Sequence, residues 1–191
     1  MNIFVTRTLI AIGALLVLGG VNYSIAHKES IKRNGETIYL DLAPVDPRSL
    51  MQGDYMTLNF QLARQIENSF ATPETTNVAG VAEHVPNEKP REGETRMANI
   101  VLNEKRVASF THAPVATSEK LRYRIRKDRV WIGTNAFFFE EGRAAQYANA
   151  RYGEFRLDRA SGEAVLVGLR DMDLKALDLK ALNLKALIAP Q

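Results

Sequence analysis

Between Arg7 and His27 the chain runs for 19 residues without a charge, TLIAIGALLVLGGVNYSIA, and this segment constrains the fold more than any other. As a helix it spans about 28 Å, close to the hydrocarbon thickness of a bilayer. Residues 9–21 are apolar on every side, so the segment is not an amphipathic surface helix. Tyr23 lies near its far end, where an aromatic ring is favoured at the membrane–water interface. Two readings stand at this point. The segment is an uncleaved anchor, or it is a signal peptide cut after the small-residue stretch Ser24-Ile25-Ala26. The flanking charges, Arg7 on one side and Lys28, Lys32 and Arg33 on the other, lean weakly toward a cytoplasmic domain. A short basic N-terminus followed by a single apolar helix is nevertheless the form of a signal anchor. We therefore expect an inner-membrane, single-pass protein with its main domain outside the cytoplasm.

The rest of the chain is one ordinary domain with a tail. Of 191 residues, about 145 remain between the apolar segment and the last twenty or so, enough for a hydrophobic core. There are 25 basic and 22 acidic side chains, a net charge of +3, which is too even a balance to argue for nucleic acid. Without cysteine there is no disulfide framework and no thiolate ligand or nucleophile.

Residues 27–36 are polar and read as a stalk. Residues 37–42 alternate, with Ile38, Leu40 and Leu42 on one face, as a half-buried strand does. Residues 55–62 alternate as well, placing Met56, Leu58, Phe60 and Leu62 together, and could continue into a short helix over 63–70. Residues 72–94 hold three prolines and two glycines and read as a long loop. Three hairpins are expected: 98–102 with 107–110, 121–126 with 130–132, and 153–158 with 163–169, the last around Arg159-Ala160-Ser161-Gly162. Residues 137–139 form a short aromatic strand, and 142–150 have the Ala-rich look of a helix. The predicted fold is α+β and mostly β. It comprises an N-terminal transmembrane anchor over 1–26, a stalk over 27–36, a small antiparallel β-rich domain over 37–170 with one or two short helices, and a leucine-rich tail over 171–191. In the tail, 173–177, 178–182 and 183–187 repeat Asp/Asn-Leu-Lys-Ala-Leu. A period of five fits neither helix nor strand, and three units make less than one coil of a β-helix, so a marginal helix or a frayed tail is expected.

The densest motif is PVDPRSLMQGDYMTLNF, residues 44–60. Asp46-Pro47 favours a turn. Gly53-Asp54 permits a tight bend into the strand that starts at Tyr55. Asp46 and Asp54 are placed to accept hydrogen bonds from nearby backbone amides, and Arg48 to pair with either. Leu58 and Phe60 point to the core. Gly53, Asp54, Tyr55 and Leu58 resemble the signature of the GDYXXLXY family of bacterial membrane-anchored proteins; Phe60 stands where the family pattern has Tyr. A weaker second block is YGEFRLDRASGEAVLVGL, residues 152–169. The resemblance implies a membrane anchor, which favours the uncleaved reading of the apolar segment, and implies no particular activity.

Other chemistry is thinner. Asp41, Asp46 and Asp54 could converge for acid–base work or Ca²⁺, but no EF-hand or glycosidase pattern accompanies them. Ser49 lacks a lysine between Arg33 and Lys89 that would activate it. His27, His84 and His112 are isolated, so no metal site is expected, and no cofactor motif is present. In LRYRIRK, Arg122, Arg124 and Arg126 alternate with Leu121, Tyr123 and Ile125. That gives a basic strand face, either paired with Glu154 and Asp158 or with Glu140 and Glu141, or free for anionic lipid headgroups. The leading reading is a non-enzymatic envelope module that works through an integral membrane protein partner. The alternatives are a membrane-tethered hydrolase using the Asp46/Asp54 loop and an anionic lipid-surface binder using the arginine face. On the turn reading, Asp54→Ala lowers stability by about 1 kcal/mol, the cost of a lost local hydrogen bond. Unfolding of the purified protein checks this, and an unchanged midpoint with lost cellular function would assign Asp54 to chemistry instead.

Overall fold

The computed structural model describes residues 3–43, 51–52, 55–71, 90–112 and 114–177. Asp46, Pro47, Arg48, Ser49, Gly53, Asp54 and His84 lie outside them, as do most of the 72–94 loop and the pentapeptides beyond Leu177. The fold is α+β and mostly antiparallel β, as expected from the sequence.

Helix α1, Ile3–Asn34, is a single element that takes in both the apolar segment and residues 27–34, so the stretch read as a stalk is helical up to Gly35. No proline or glycine interrupts that polar stretch. Glu29 and Arg33 form an i,i+4 ion pair at 3.7 Å, and Lys32 and Arg33 sit in the last turn, where cations suit the helix dipole. Gly35 follows the helix at a point where the chain passes close to Arg156. A Cβ at this position would lie 2.4 Å from the Ile31 carbonyl oxygen and 3.0 Å from the Arg156 Cβ. Among the described residues α1 is the one helix long and apolar enough to cross a membrane. Its apolar side chains from Leu9 to Ile25 are exposed on all sides, so the protein itself does not cover them.

Three sheets follow. In the first, β1 (Glu36–Asp41) and β10 (Ala164–Arg170) flank β9 (Tyr152–Leu157), all antiparallel, with Ile38 and Leu166 opposite Phe155 and a bulge between Leu166 and Gly168. In the second, β3 (Tyr55–Thr57) lies between β2 (Met51–Gln52) and β8 (Ala136–Phe138). The third runs in the order β5 (Ala108–Thr111), β4 (Thr95–Leu102), β6 (Glu119–Arg126), β7 (Arg129–Trp131). The β6–β7 hairpin closes on Lys127 and Asp128, both at positive φ (51° and 56°), the two-residue type I′ geometry that suits the right-handed strand twist.

The strand expected over 55–62 ends at Thr57, and helix α2, Gln61–Ala71, begins before the expected residue 63. Burial nevertheless alternates throughout: Met56, Leu58, Phe60 and Leu62 are all buried. Leu58 donates its amide to the Asn135 carbonyl at 2.7 Å, and Phe60 bridges Leu42. From Leu62 the period changes to i,i+4, with Ile66 also buried and Phe70 packed on the core. The helix expected over 142–150 is one 3-10 turn, Ala144–Tyr147, held by Tyr147 against the rings of Phe137 and Phe139.

Phe155 is the centre of the core. It is fully buried and meets the Phe60 ring edge-on at 5.3 Å. Gly133 and Gly153 leave room for it: a Cβ at either would come within 3.0 Å of ring carbons. Phe155→Ala is expected to cost about 3–5 kcal/mol, the lost burial of the ring plus the cavity left behind, and denaturant unfolding measures this.

Candidate functional site

The described part of the signature is structural in character. Gln52 pairs directly with Tyr55 across β2 and β3, and the Tyr55 ring lies 5.7 Å from that of Phe138 on β8. Leu58 and Phe60 are buried in the core, so the hydroxyl that a tyrosine would carry has no counterpart at position 60. Asp41 is the described member of the candidate carboxylate set. It accepts an ion pair from Arg151, Nε to Oδ1 at 3.2 Å, and burial pushes its carboxyl above the usual range while Arg151 partly offsets the shift. His27 lies 3.6 Å from Glu163, and His112 packs on the Phe110 ring. Among the described residues no group of three or more metal-ligating side chains assembles.

Charge and space coincide instead at the foot of α1. Two grooves open there. The larger, about 440 Å³, lies between the last turns of α1 and the ends of β1 and β9. Its charges are consumed internally: Arg159 pairs with Glu36 and, at 2.8 Å, with Glu119, and Glu36 also takes Arg106. At its wall, Ser161 donates its hydroxyl to Asp158 at 2.6 Å. That bond, with the Ala160 amide, holds the Asp158 carboxyl below the usual range.

The second groove, about 340 Å³, is lined by Lys28, Arg122, Arg124, Arg126, Trp131 and Glu163 among others. Strand β6 builds it. Its inward residues Leu121, Tyr123 and Ile125 are buried, which leaves the three arginines on the outer face at spacings of about 6.6 Å. Glu163, the residue just before β10 and only 7% exposed, is the acidic partner of this face. It accepts Arg122 from β6 and Lys28 from α1. Of the partners expected from sequence, Glu154, Asp158 and Glu140 are engaged elsewhere, Asp158 by Ser161. Glu154 holds Arg170 and, at 3.9 Å, Arg156, while Glu140 holds Arg143 at 2.9 Å. Arg124 Nε donates to Thr95 Oγ1 at 3.4 Å, and the Arg126 guanidinium lies 5.1 Å over the Trp131 ring. Sequence reasoning found the arginines through their alternation. It missed Lys28, Glu163 and Trp131, which are brought to the arginines by packing and carry no local pattern.

A protein-family comparison matches residues 17–169 to the model described as GDYXXLXY protein. The chain belongs to the GDYXXLXY family. The matched region takes in the second half of α1, every strand through all but the last residue of β10, and the groove residues. No curated protein and no solved structure matches the chain. For this GDYXXLXY protein, then, the geometry itself is the guide to chemistry. Removing the charge at the carboxylate that joins α1 to the sheets, by Glu163→Gln, is expected to destabilise the protein by about 1–3 kcal/mol. The same change should speed amide hydrogen exchange over residues 27–34. Exchange mass spectrometry and unfolding measure both.

Proposed function

We propose that this GDYXXLXY protein is a non-enzymatic accessory module of the cell envelope. Its β-rich domain is held outside the cytoplasm by α1 and acts through an integral membrane protein partner. The observation that carries this reading is the continuity of the helix. The apolar segment does not end in a loose linker; it runs without a break into the domain and docks there, with Ile31 buried and Lys28 bound to Glu163. A tether that served only to concentrate an enzyme at a membrane would not need that fixed junction. A fixed junction transmits position and orientation between a membrane segment and a folded domain. Within the apolar segment, Asn22 satisfies one amide hydrogen on the Leu18 carbonyl at 3.0 Å and retains further hydrogen-bonding capacity, of the kind that membrane helices use against one another.

The hydrolase reading would depend on Asp46 and Asp54. Asp41, the third carboxylate considered with them, is tied to Arg151. Photo-crosslinking groups placed at exposed positions of α1, such as Leu16 or Val17, are expected to trap one recurring membrane protein. Adducts to lipid alone would overturn the partner. A reporter fused after Gln191 should be active only outside the cytoplasm, and mature protein should begin at or next to Met1. A reporter active in the cytoplasm, or a first residue at His27, would overturn the anchored extracytoplasmic arrangement.

A further inference from the structure

We propose that the groove between β6 and the foot of α1 binds the phosphate headgroup of an anionic membrane lipid, an inference that rests on α1 being the membrane anchor. Four cationic side chains, Lys28, Arg122, Arg124 and Arg126, line the groove with one carboxylate, Glu163. That carboxylate is committed to Lys28 and Arg122. Among the described residues Arg124 and Arg126 have no ion-pair partner. Their nearest assigned contacts, the Thr95 hydroxyl and the Trp131 ring face, leave most of their N–H donors directed at the groove or at solvent. Residues two apart on one strand face are rooted about 6.6 Å apart along the strand, and long arginine side chains rooted there can each turn a donor pair to one phosphodiester lying in the groove. The indole under Arg126 fixes the plane of that guanidinium.

Position selects a lipid as the source of the phosphate. Lys28 lies two residues past the apolar segment, about 3 Å further along the helix axis, so one wall of the groove stands at the depth where headgroups begin. Trp131, a residue type favoured at that depth, forms another wall. The volume suits a headgroup rather than a whole lipid, whose acyl chains would remain in the bilayer beside α1. The rest of the chain is nearly balanced in charge, so this is a local site and not a general basic coat.

The test uses the full-length protein in a non-denaturing neutral detergent, with retained lipid counted by native mass spectrometry. Phosphatidylglycerol is expected to be retained in preference to phosphatidylcholine by about tenfold or more, and Arg124→Gln with Arg126→Gln to remove the preference. Neither arginine supports the core, and a thermal melt confirms that the double variant is folded. Inorganic phosphate should displace the lipid only weakly. Equal retention of the two lipids, or an unchanged preference in the folded double variant, would overturn the site. Inorganic phosphate binding as tightly as the lipid would replace the lipid by a soluble anion. Capture of an acidic peptide with no lipid preference would assign the arginines to a protein contact. Carbonate washing of membranes separates the two levels: release of the protein would sink the anchor reading, whereas retention with no lipid preference would sink the headgroup site alone.

Discussion

The arrangement depends on one buried carboxylate. Glu163 sits just before β10 with almost no exposure, and a charge in that position is costly unless cations and hydrogen bonds surround it. The cations come from two other elements, Lys28 from α1 and Arg122 from β6. The β9–β10 hairpin, the third sheet and the foot of the helix are therefore held in one relative placement. Backbone geometry supports it. Gly162 adopts a φ of +68°, its carbonyl accepts the Arg122 amide at 2.7 Å, and a Cβ there would come within 3.0 Å of Met97 and the Lys120 carbonyl. Ile31 adds the apolar part of the contact. A hydrophobic contact alone would leave the helix free to rotate about its axis; the ion pair and the close backbone approach fix the angle.

Much of the fold was legible because its signals are local. Period-two alternation located β1 and β6, turn chemistry located the three hairpins, and the uncharged run located the apolar part of α1. The misjudged boundaries share a physical cause. Leu62 continues the alternation that begins at Met56 and also opens the i,i+4 series through Ile66, so the sequence holds two periods at once and the change at Gln61 is invisible to either. Residues 27–34 read as a stalk because their burial comes from one residue, Ile31, and a lone isoleucine among charges has no period. The first pentapeptide of the tail folds as a turn. Asp171 accepts the Asp173 and Lys175 amides, Leu174 takes a φ of +62°, and Ala176 bridges back to Arg170. Capping by Asp171, which precedes the repeat, decides its conformation.

The groove was half legible for a similar reason. The arginines announce themselves through strict alternation with Leu121, Tyr123 and Ile125. Their partner could not be chosen from sequence, because that choice depends on which sheet β6 joins. Glu154 on β9 was a reasonable candidate if β6 and β9 were neighbours in one sheet. They are not: β9 pairs with β1 and β10, and Glu154 is held by Arg170 and Arg156 on its own sheet. What reaches β6 is the hairpin tip, through Gly162 and Glu163.

The near balance of charge in this chain conceals a sorting of charge in space. Around β1 and β9 most carboxylates and arginines are matched: Asp41 with Arg151, Glu36 with Arg106 and Arg159, Glu154 with Arg156 and Arg170. On β6 the match is incomplete: among the described residues Arg124 and Arg126 have no ion-pair partner, and they stand beside the foot of the long apolar helix. In a free domain two such groups would hold an anionic surface only weakly, since exposed charges are screened within about 8 Å at physiological salt. Confinement by α1 changes that comparison. With α1 as the anchor proposed above, membrane attachment would come from the helix, and the headgroups would then be present at the high effective concentration that any short tether creates. The proposed contact would then need only to select a headgroup and hold the domain at one rotation about the helix, for which a shallow groove with a few directed donors is sufficient.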